Sequence, residues 1–195
     1  MAGGRGSRLD MGEKPLVKLF GRPLIDYVAL ALEDSSVDRI FVATTDNVPG
    51  TREWCRERGL EVVETGGYGY VADMIEAVKN AKVTDPVMII MADLPLVTSD
   101  LIDGIIDAYD GRPEPALSTH TPLDLHSRLG RRPDSLFNYR GRLIVPAGIN
   151  VLDGSDIERE QEDFHLILER IELAVNVNVA DDLRLCERIM QGDLL

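Results

Sequence analysis

The run PVMIIM at 86–91 constrains the fold most, because it is apolar at six consecutive positions. A strand with one wet face needs apolar residues only at alternate positions. An unbroken run of strand length points to burial on both faces, as in a sheet covered by helices on either side. Its surroundings agree. PLIDYVALALED at 23–34 starts with Pro and has helical apolar spacing through Leu24, Val28, Leu30 and Ala31. RIFVAT at 39–44 reads as a strand, 50–58 as a polar helix, LEVVE at 60–64 as a short strand, and 71–81 as a helix. The apolar strand then ends in ADLP, and SDLIDGIIDAY at 99–109 reads as an N-capped helix. Strands alternating with helices predict parallel βαβ units in an α/β sheet.

The second half is patterned differently. PALSTHTP at 115–122 predicts a strand, and 123–134, rich in Arg and Pro, predicts a loop. Residues 135–153 predict a hairpin turning at Arg140-Gly141, with a core strand near 147–152. QEDFHLILE at 161–169 and ELAVNVNV at 172–179 both alternate as strands do, and 181–190 predicts a closing amphipathic helix. There is no internal repeat and no linker, so one domain over residues 1–195 is expected.

At 44% hydrophobic residues the chain is globular, and with 5% aromatics its core must rest on aliphatic side chains. No run approaches the roughly 20 apolar residues of a membrane span, and no basic-then-apolar leader opens the chain. A cytoplasmic protein is expected. Cys55 and Cys186 match no metal or redox spacing and are expected to be plain thiols. The net charge of −13 argues against a nucleic-acid surface. Residues 1–22 nevertheless hold Arg5, Arg8, Lys14, Lys18 and Arg22 against Asp10 and Glu13, a balance of +3 that leaves −16 for the rest. Such a basic island suits one small polyanion; a solvated face is the alternative. Apolar residues at 155–170 with no evident place in the sheet suggest a homodimer.

Gly3, Gly4 and Gly6 free the backbone to bring its N–H groups close to an anion, and Arg5 and Arg8 add charge. The stretch is neither a P-loop, lacking Gly-Lys-Ser/Thr, nor a dinucleotide fingerprint, because position 9 is Leu9. Disordered terminal glycines are the competing reading. Asp93 stands at the C-terminal end of the buried strand, where α/β folds place ligands, though such residues also cap the next helix. His120, His126, His165 and Trp54 have no partners in sequence that suggest chemistry and are expected to pack.

The series Ala2 to Arg8 (AGGRGSR), Glu13 to Leu16 (EKPL) and Leu19 to Asp26 (LFGRPLID) resembles the signature of the nucleotidyltransferases that act on nucleoside triphosphates. That family includes sugar-1-phosphate nucleotidyltransferases and the molybdenum cofactor guanylyltransferases. The resemblance implies a three-layer α/β/α Rossmann-like fold with a mostly parallel mixed sheet. It also implies a triphosphate cradled by Ala2, Gly3, Gly4, Arg5, Gly6 and Ser7, with Arg8 and Lys14 as catalytic cations and Asp93 as the ligand of Mg²⁺. About five apolar residues precede this motif in the family and form the first strand, so that strand is expected to be missing from this chain. The family's N-x-N-T-x-x-D-L matches Asn176-Val-Asn178 and Asp182-Leu183, but with Val179 where Thr is usual.

TGGYGY at 65–70 with Asp73, and PAGINV at 146–151, further resemble the archaeal guanylyltransferases acting on adenosylcobinamide phosphate. By that resemblance Gly69 and Asp73 lie on the nucleotide side, and Gly148, Asn150, Asn176 and Asn178 on the acceptor side. GTP and a phosphorylated corrinoid are then the expected substrates. The same chemistry on molybdopterin or a sugar phosphate, and a non-catalytic nucleotide-binding module, are the rival readings.

Overall fold

The computed structural model describes residues 1–4 and 11–193. A small hairpin, β1 (Lys18–Leu19) and β2 (Arg22–Pro23), turns at Phe20 and Gly21 and leads into helix α1 (Leu24–Glu33). Then come β3 (Phe41–Thr45), α2 (Pro49–Glu57), β4 (Glu61–Thr65), α3 (Tyr70–Ala81), β5 (Pro86–Ile90) and α4 (Ser99–Asp110). The second half holds β6 (Ala116–Pro122), α5 (Leu123–Arg128), β7 (Phe137–Tyr139), β8 (Arg142–Asp153), β9 (Asp163–Ile167), α6 (Ile171–Ala174) and α7 (Ala180–Met190).

The uniform apolarity of β5 has a direct cause. Ile90 packs with Val28 of α1 and Ile102 and Ile105 of α4, whereas Ile89 packs with Val78 of α3 and Ile157. Successive side chains thus meet helices on opposite faces. Strand β3 repeats the pattern: Val42 joins Ile25 and Cys55 of α1 and α2, and Ala43 joins Ala77 of α3. Helices cover both sides, giving the expected α/β/α layering. Cys55 and Cys186 are free and buried, and Trp54 packs beside Cys55.

The sheet is mixed. β3 pairs β4 in parallel, and β6 pairs β9 in parallel. β8 is antiparallel to β5, β6 and β7 alike, which makes its half of the sheet less parallel than the alternating first half suggested. β8 serves two neighbours along one edge. Ile144 faces Phe137 of β7, while Ile149 faces Ile90 of β5. The switch falls at Gly148, whose φ of 76° is left-handed, and opposite it β6 shifts register between Ser118 and His120.

Among the described residues β3 and β5 are not paired with each other or with a shared strand. Among the same residues, Met1 and Ala2 bridge the two through backbone hydrogen bonds. The Met1 ammonium donates to Ile90 O at 2.7 Å, Ala92 N to Met1 O at 3.1 Å, and Ala2 N to Ala43 O at 2.8 Å. Burial pushes that ammonium down to about 6, against the opposing pull of the Asp93 charge. Beside Met1 a slot of about 380 Å³ separates the strands, lined by side chains such as Val37, Phe41, Met88 and Ile106.

Two segments differ from their sequence patterns. Residues 123–128 form α5 rather than loop; one helical turn and a half is too short to show an apolar period, and only Leu125 and His126 are buried. Residues 171–174 are helical, and 175–178 are extended without joining a ladder. The alternation there is real, since Val175 and Val177 are fully buried, but it faces the core beside α7 rather than a neighbouring strand. Phe164, Leu166 and Leu168 pack on the main core through β9, which removes the sequence argument for a dimer.

Glu13 ties the start of α2 to the segment preceding β1. Its carboxylate accepts from Gly50 N at 2.8 Å, and from Thr51 N and Thr51 Oγ1 at 2.6 Å. It satisfies amides that a helix beginning at Pro49 leaves free. Glu13→Ala should lower unfolding stability by about 1–2 kcal/mol, the range for a lost helix cap, and Glu13→Gln by less; a denaturation midpoint unchanged in Glu13→Ala would contradict this role. A pH effect follows from His126, 4% exposed, whose Nε2 pairs with Thr121 Oγ1 at 2.7 Å. Burial, and then the charge of Arg131, push its pKa down to about 4. The unfolded chain therefore takes up a proton near pH 6.5 that the folded chain refuses until about pH 4. Stability from this group is complete above pH 6.5 and falls as the pH drops through that window, by about 3 kcal/mol. Thermal melts of wild type and His126→Gln between pH 7 and 4 should diverge accordingly, and parallel curves would overturn the assignment.

Candidate active site

Three segments distant in sequence meet at the end of β5. Lys14 lies in a single 3₁₀ turn (Lys14–Leu16), fixed on one side by the Glu13 clamp and on the other by buried Pro15. Asp93 follows β5 directly. Asn178 closes the extended stretch before α7. The Lys14 ammonium donates to Asp93 Oδ2 and, at 2.7 Å, to Asn178 Oδ1. The pair is largely enclosed, with side chains 16% and 8% exposed. Asp93 O also accepts from Val177 N at 2.9 Å, so backbone and side chain both dock the 176–178 stretch on the strand end.

That stretch is held from behind. Asp182 Oδ2 accepts from Asn178 N at 2.7 Å and from Val179 N at 3.0 Å. A valine at 179 offers no hydroxyl to cap α7, and the Asp182 carboxylate supplies the anchoring at this turn. Arg131 then grips Asp182 Oδ1 at 3.1 Å, Asn176 O at 3.0 Å, Asn176 Oδ1 at 3.1 Å, and Ala174 O. Asn176 and Asn178 therefore differ in role: the first is engaged by Arg131, the second by Lys14.

Sequence patterning does not single out Arg131 or the anchoring by Asp182. Asp182 belongs to the N-x-N motif region, and Arg131 to the Arg- and Pro-rich stretch at 123–134. The signal is two adjacent arginines in an acidic chain, but the partners of Arg131 lie over forty residues away.

On the other side, Asp73 shapes the 65–70 loop. Its carboxylate accepts from Gly67 N at 2.8 Å, Tyr68 N at 3.0 Å and Gly69 N at 3.3 Å. Gly67 and Gly69 have φ of 74° and 116°, a conformation that glycine alone adopts freely. The loop approaches Thr45 at the end of β3, where Gly3 also packs. A Cβ on Gly3 would lie 2.7 Å from Thr45 Cγ2, and Gly3 O accepts from Thr45 Oγ1 at 3.4 Å. The glycine opening and the second glycine loop thus converge, with Ala2 buried at the join and Gly4 in open space. Arg5, Gly6, Ser7 and Arg8 lie outside the described residues.

Between the two sides runs a cleft of about 810 Å³, bordered by Asp93, Gly148, Asn150, Asn176, Asn178 and Tyr70. Asn150 Nδ2 donates to the Tyr70 hydroxyl at 3.2 Å, linking β8 to the start of α3. His120 and His126 are buried as packing residues. Asp93 Oδ1 is buried without a hydrogen-bond partner. An unpaired carboxylate oxygen on a residue that lines a cleft suits a hard cation that takes its remaining ligands from substrate and water. No cluster of three or more His, Cys, Asp or Glu side chains among the described residues could hold a metal unaided. No described helix is long and apolar enough to cross a membrane.

Comparison with known proteins agrees with this geometry. Residues 1–148 match the family described as the MobA-like NTP transferase domain. The chain is 34% identical over 202 aligned positions to the adenosylcobinamide-phosphate guanylyltransferase of Methanocaldococcus jannaschii, covering 99% of this chain and 96% of that protein. In fold it is similar to a hypothetical transferase from Thermus thermophilus, with a TM-score of 0.69, 17% identity, and coverage of 94% and 96%. A CMP:2-keto-3-deoxy-manno-octonic acid synthetase complexed with CTP superposes with a TM-score of 0.71, 14% identity, and coverage of 94% and 93%. With a family match over most of its length and a curated relative spanning nearly all of it, the chain belongs to the MobA-like NTP transferase domain family of nucleotidyltransferases.

Proposed function

We propose that this cleft transfers GMP from GTP to adenosylcobinamide phosphate, releasing pyrophosphate and forming adenosylcobinamide-GDP, in the cytoplasm. The observation that carries the reading is the Lys14 ammonium set between Asp93 and Asn178 at a strand end, in a chain aligned almost end to end with a guanylyltransferase of that acceptor. An oxygen of the acceptor phosphate attacks the α-phosphorus of GTP as the bond to the β-phosphate breaks. No covalent intermediate on the protein is required, since the nucleophile is already an anion. The chain's task is to align two anions and offset their repulsion.

In this reading the loop from Ala2 to Ser7 holds the triphosphate, and Arg8 and Lys14 offset its charge. Gly69 sits beside the nucleotide, in a loop whose shape Asp73 fixes through its amides. Asn178 orients the Lys14 ammonium, and Gly148, Asn150 and Asn176 form the acceptor wall. Asp93 Oδ1, buried and unpartnered, would hold Mg²⁺. Mg²⁺ held there would supply positive charge to offset the charge that builds on the departing pyrophosphate. Lys14 is hydrogen-bonded to the other carboxylate oxygen, Oδ2, which leaves Oδ1 for the ion.

The direct test offers purified protein GTP together with adenosylcobinamide phosphate, molybdopterin or a sugar phosphate in turn, and measures pyrophosphate. Release with the corrinoid acceptor alone is expected; release only with another acceptor would redirect the reading, and GTP binding without release for any would favour a binding module. Lys14→Ala should lower kcat by a factor of about 10² to 10³, the usual loss for one preorganised charge at a transition state, with the melting temperature little changed. Near-normal turnover would remove Lys14 from the site. Asp93→Ala should abolish the dependence of rate on Mg²⁺ concentration along with most activity, and an unaltered Mg²⁺ titration would exclude Asp93 as the ligand.

A further inference from the structure

The cleft is wider than one phosphate requires, and its charged lining is nearly all spoken for. Asp93 is paired with Lys14, Asp182 with Arg131, and Asp181 with Arg184 outside the cleft. Arg131 is fully engaged by Asp182, Ala174 and Asn176. Asp134 also has a partner. Arg132 alone among the cleft's described cations forms no hydrogen bond or ion pair with another described residue, and it is exposed. Two polyanions must meet in this cleft. Lys14, committed to Asp93 and Asn178, serves with Arg8 the triphosphate in the functional reading above, and the acceptor needs a cation of its own.

The backbone holds Arg132 ready for that work. Arg131 fixes the preceding residue against the 174–182 segment, and Arg131 N donates to His126 O at 2.9 Å. Pro133 follows and restricts the backbone at 132 to extended conformations. Arg132 thus lies on a braced stretch of the same cleft wall as Asn176, with its donor fork uncommitted among the described residues. A fork of this kind matches a phosphomonoester bidentately, which an ammonium does not.

Just past Arg132 the surface turns apolar. Ser135 still lines the cleft, and then Leu136, Phe137 and Leu143 on the β7–β8 hairpin are 48%, 53% and 47% exposed. The arginine therefore separates a polar cleft from an oily shelf. That order suits an acceptor with a phosphomonoester at one end and a bulky, partly apolar body at the other.

We propose that Arg132 recognises the phosphate of the acceptor and sets the preference for a phosphorylated over an unphosphorylated one. This rests on the functional reading above. The test compares wild type, Arg132→Gln and Arg132→Lys in steady-state turnover of GTP with adenosylcobinamide phosphate. It also compares equilibrium binding of adenosylcobinamide phosphate and of adenosylcobinamide. Wild type should bind the phosphorylated form at least about tenfold more tightly. Arg132→Gln should raise the acceptor KM about tenfold or more, leave the KM for GTP within about twofold, and erase the binding preference. Arg132→Lys should retain part of both. Wild-type turnover with an unchanged acceptor KM and an intact phosphate preference in Arg132→Gln would overturn the assignment alone. Equal rises in the KM for GTP and for acceptor would overturn it as well, showing a general loss of cleft structure. Absence of pyrophosphate from wild type with this acceptor would overturn the functional reading and the assignment with it.

Discussion

The contact between the Lys14 ammonium and Asp93, shared with Asn178, is the constraint on which the site depends. It draws together residues 79 and 164 positions apart in sequence. Each partner is anchored by something that is not part of the pair: Lys14 by the Glu13 clamp on α2, Asp93 by the buried strand, Asn178 by Asp182 and Arg131. An enclosed ion pair of this kind is a weak source of stability, because desolvation consumes much of what attraction returns. Its value is positional. One carboxylate oxygen accepts from Lys14, and the other is buried without a partner.

The sheet shows why the cleft has two unlike walls. The first half, β3 and β4, is parallel, and the glycine-rich turn after β4 is shaped by amides that donate to Asp73. The second half is organised around β8, which runs antiparallel to three neighbours and changes partner at Gly148. That change lays Pro146 to Gly148 across the cleft and sets Asn150 against Tyr70 from the opposite side. The left-handed backbone at Gly148 and the register shift in β6 fall together beside the cleft.

How much was legible in the sequence follows from whether the cause of each feature is local. PVMIIM announced a strand buried on both faces because each side chain meets its own helix. The Arg140-Gly141 turn announced a hairpin because left-handed backbone is required there, with φ of 51° and 81°. Lys14 and Asp93 were legible because their motifs are contiguous. α5 and α6 were not, since helices of six and four residues carry too few positions for a period to register. Nor was the alternation at 172–179 a guide, because burial beside α7 imposes the same pattern as pairing in a sheet. Arg131 and Asp182 were invisible as a pair for a further reason: ion pairing leaves no periodic trace, and the residues are joined only by the fold.

The narrow bridge at Met1 and Ala2 has a consequence for dynamics in the middle of the molecule. Ile90 directs its carbonyl at Met1, so by the alternation of a strand Met88 directs its amide into the slot between β3 and β5. No described strand receives it there. Depth within the layers and protection from solvent exchange therefore come apart in this fold: hydrogen exchange at Met88 should be set by opening of the slot, whereas that at Met91, bonded to Gly148 on the opposite edge, should follow opening of the β5–β8 ladder.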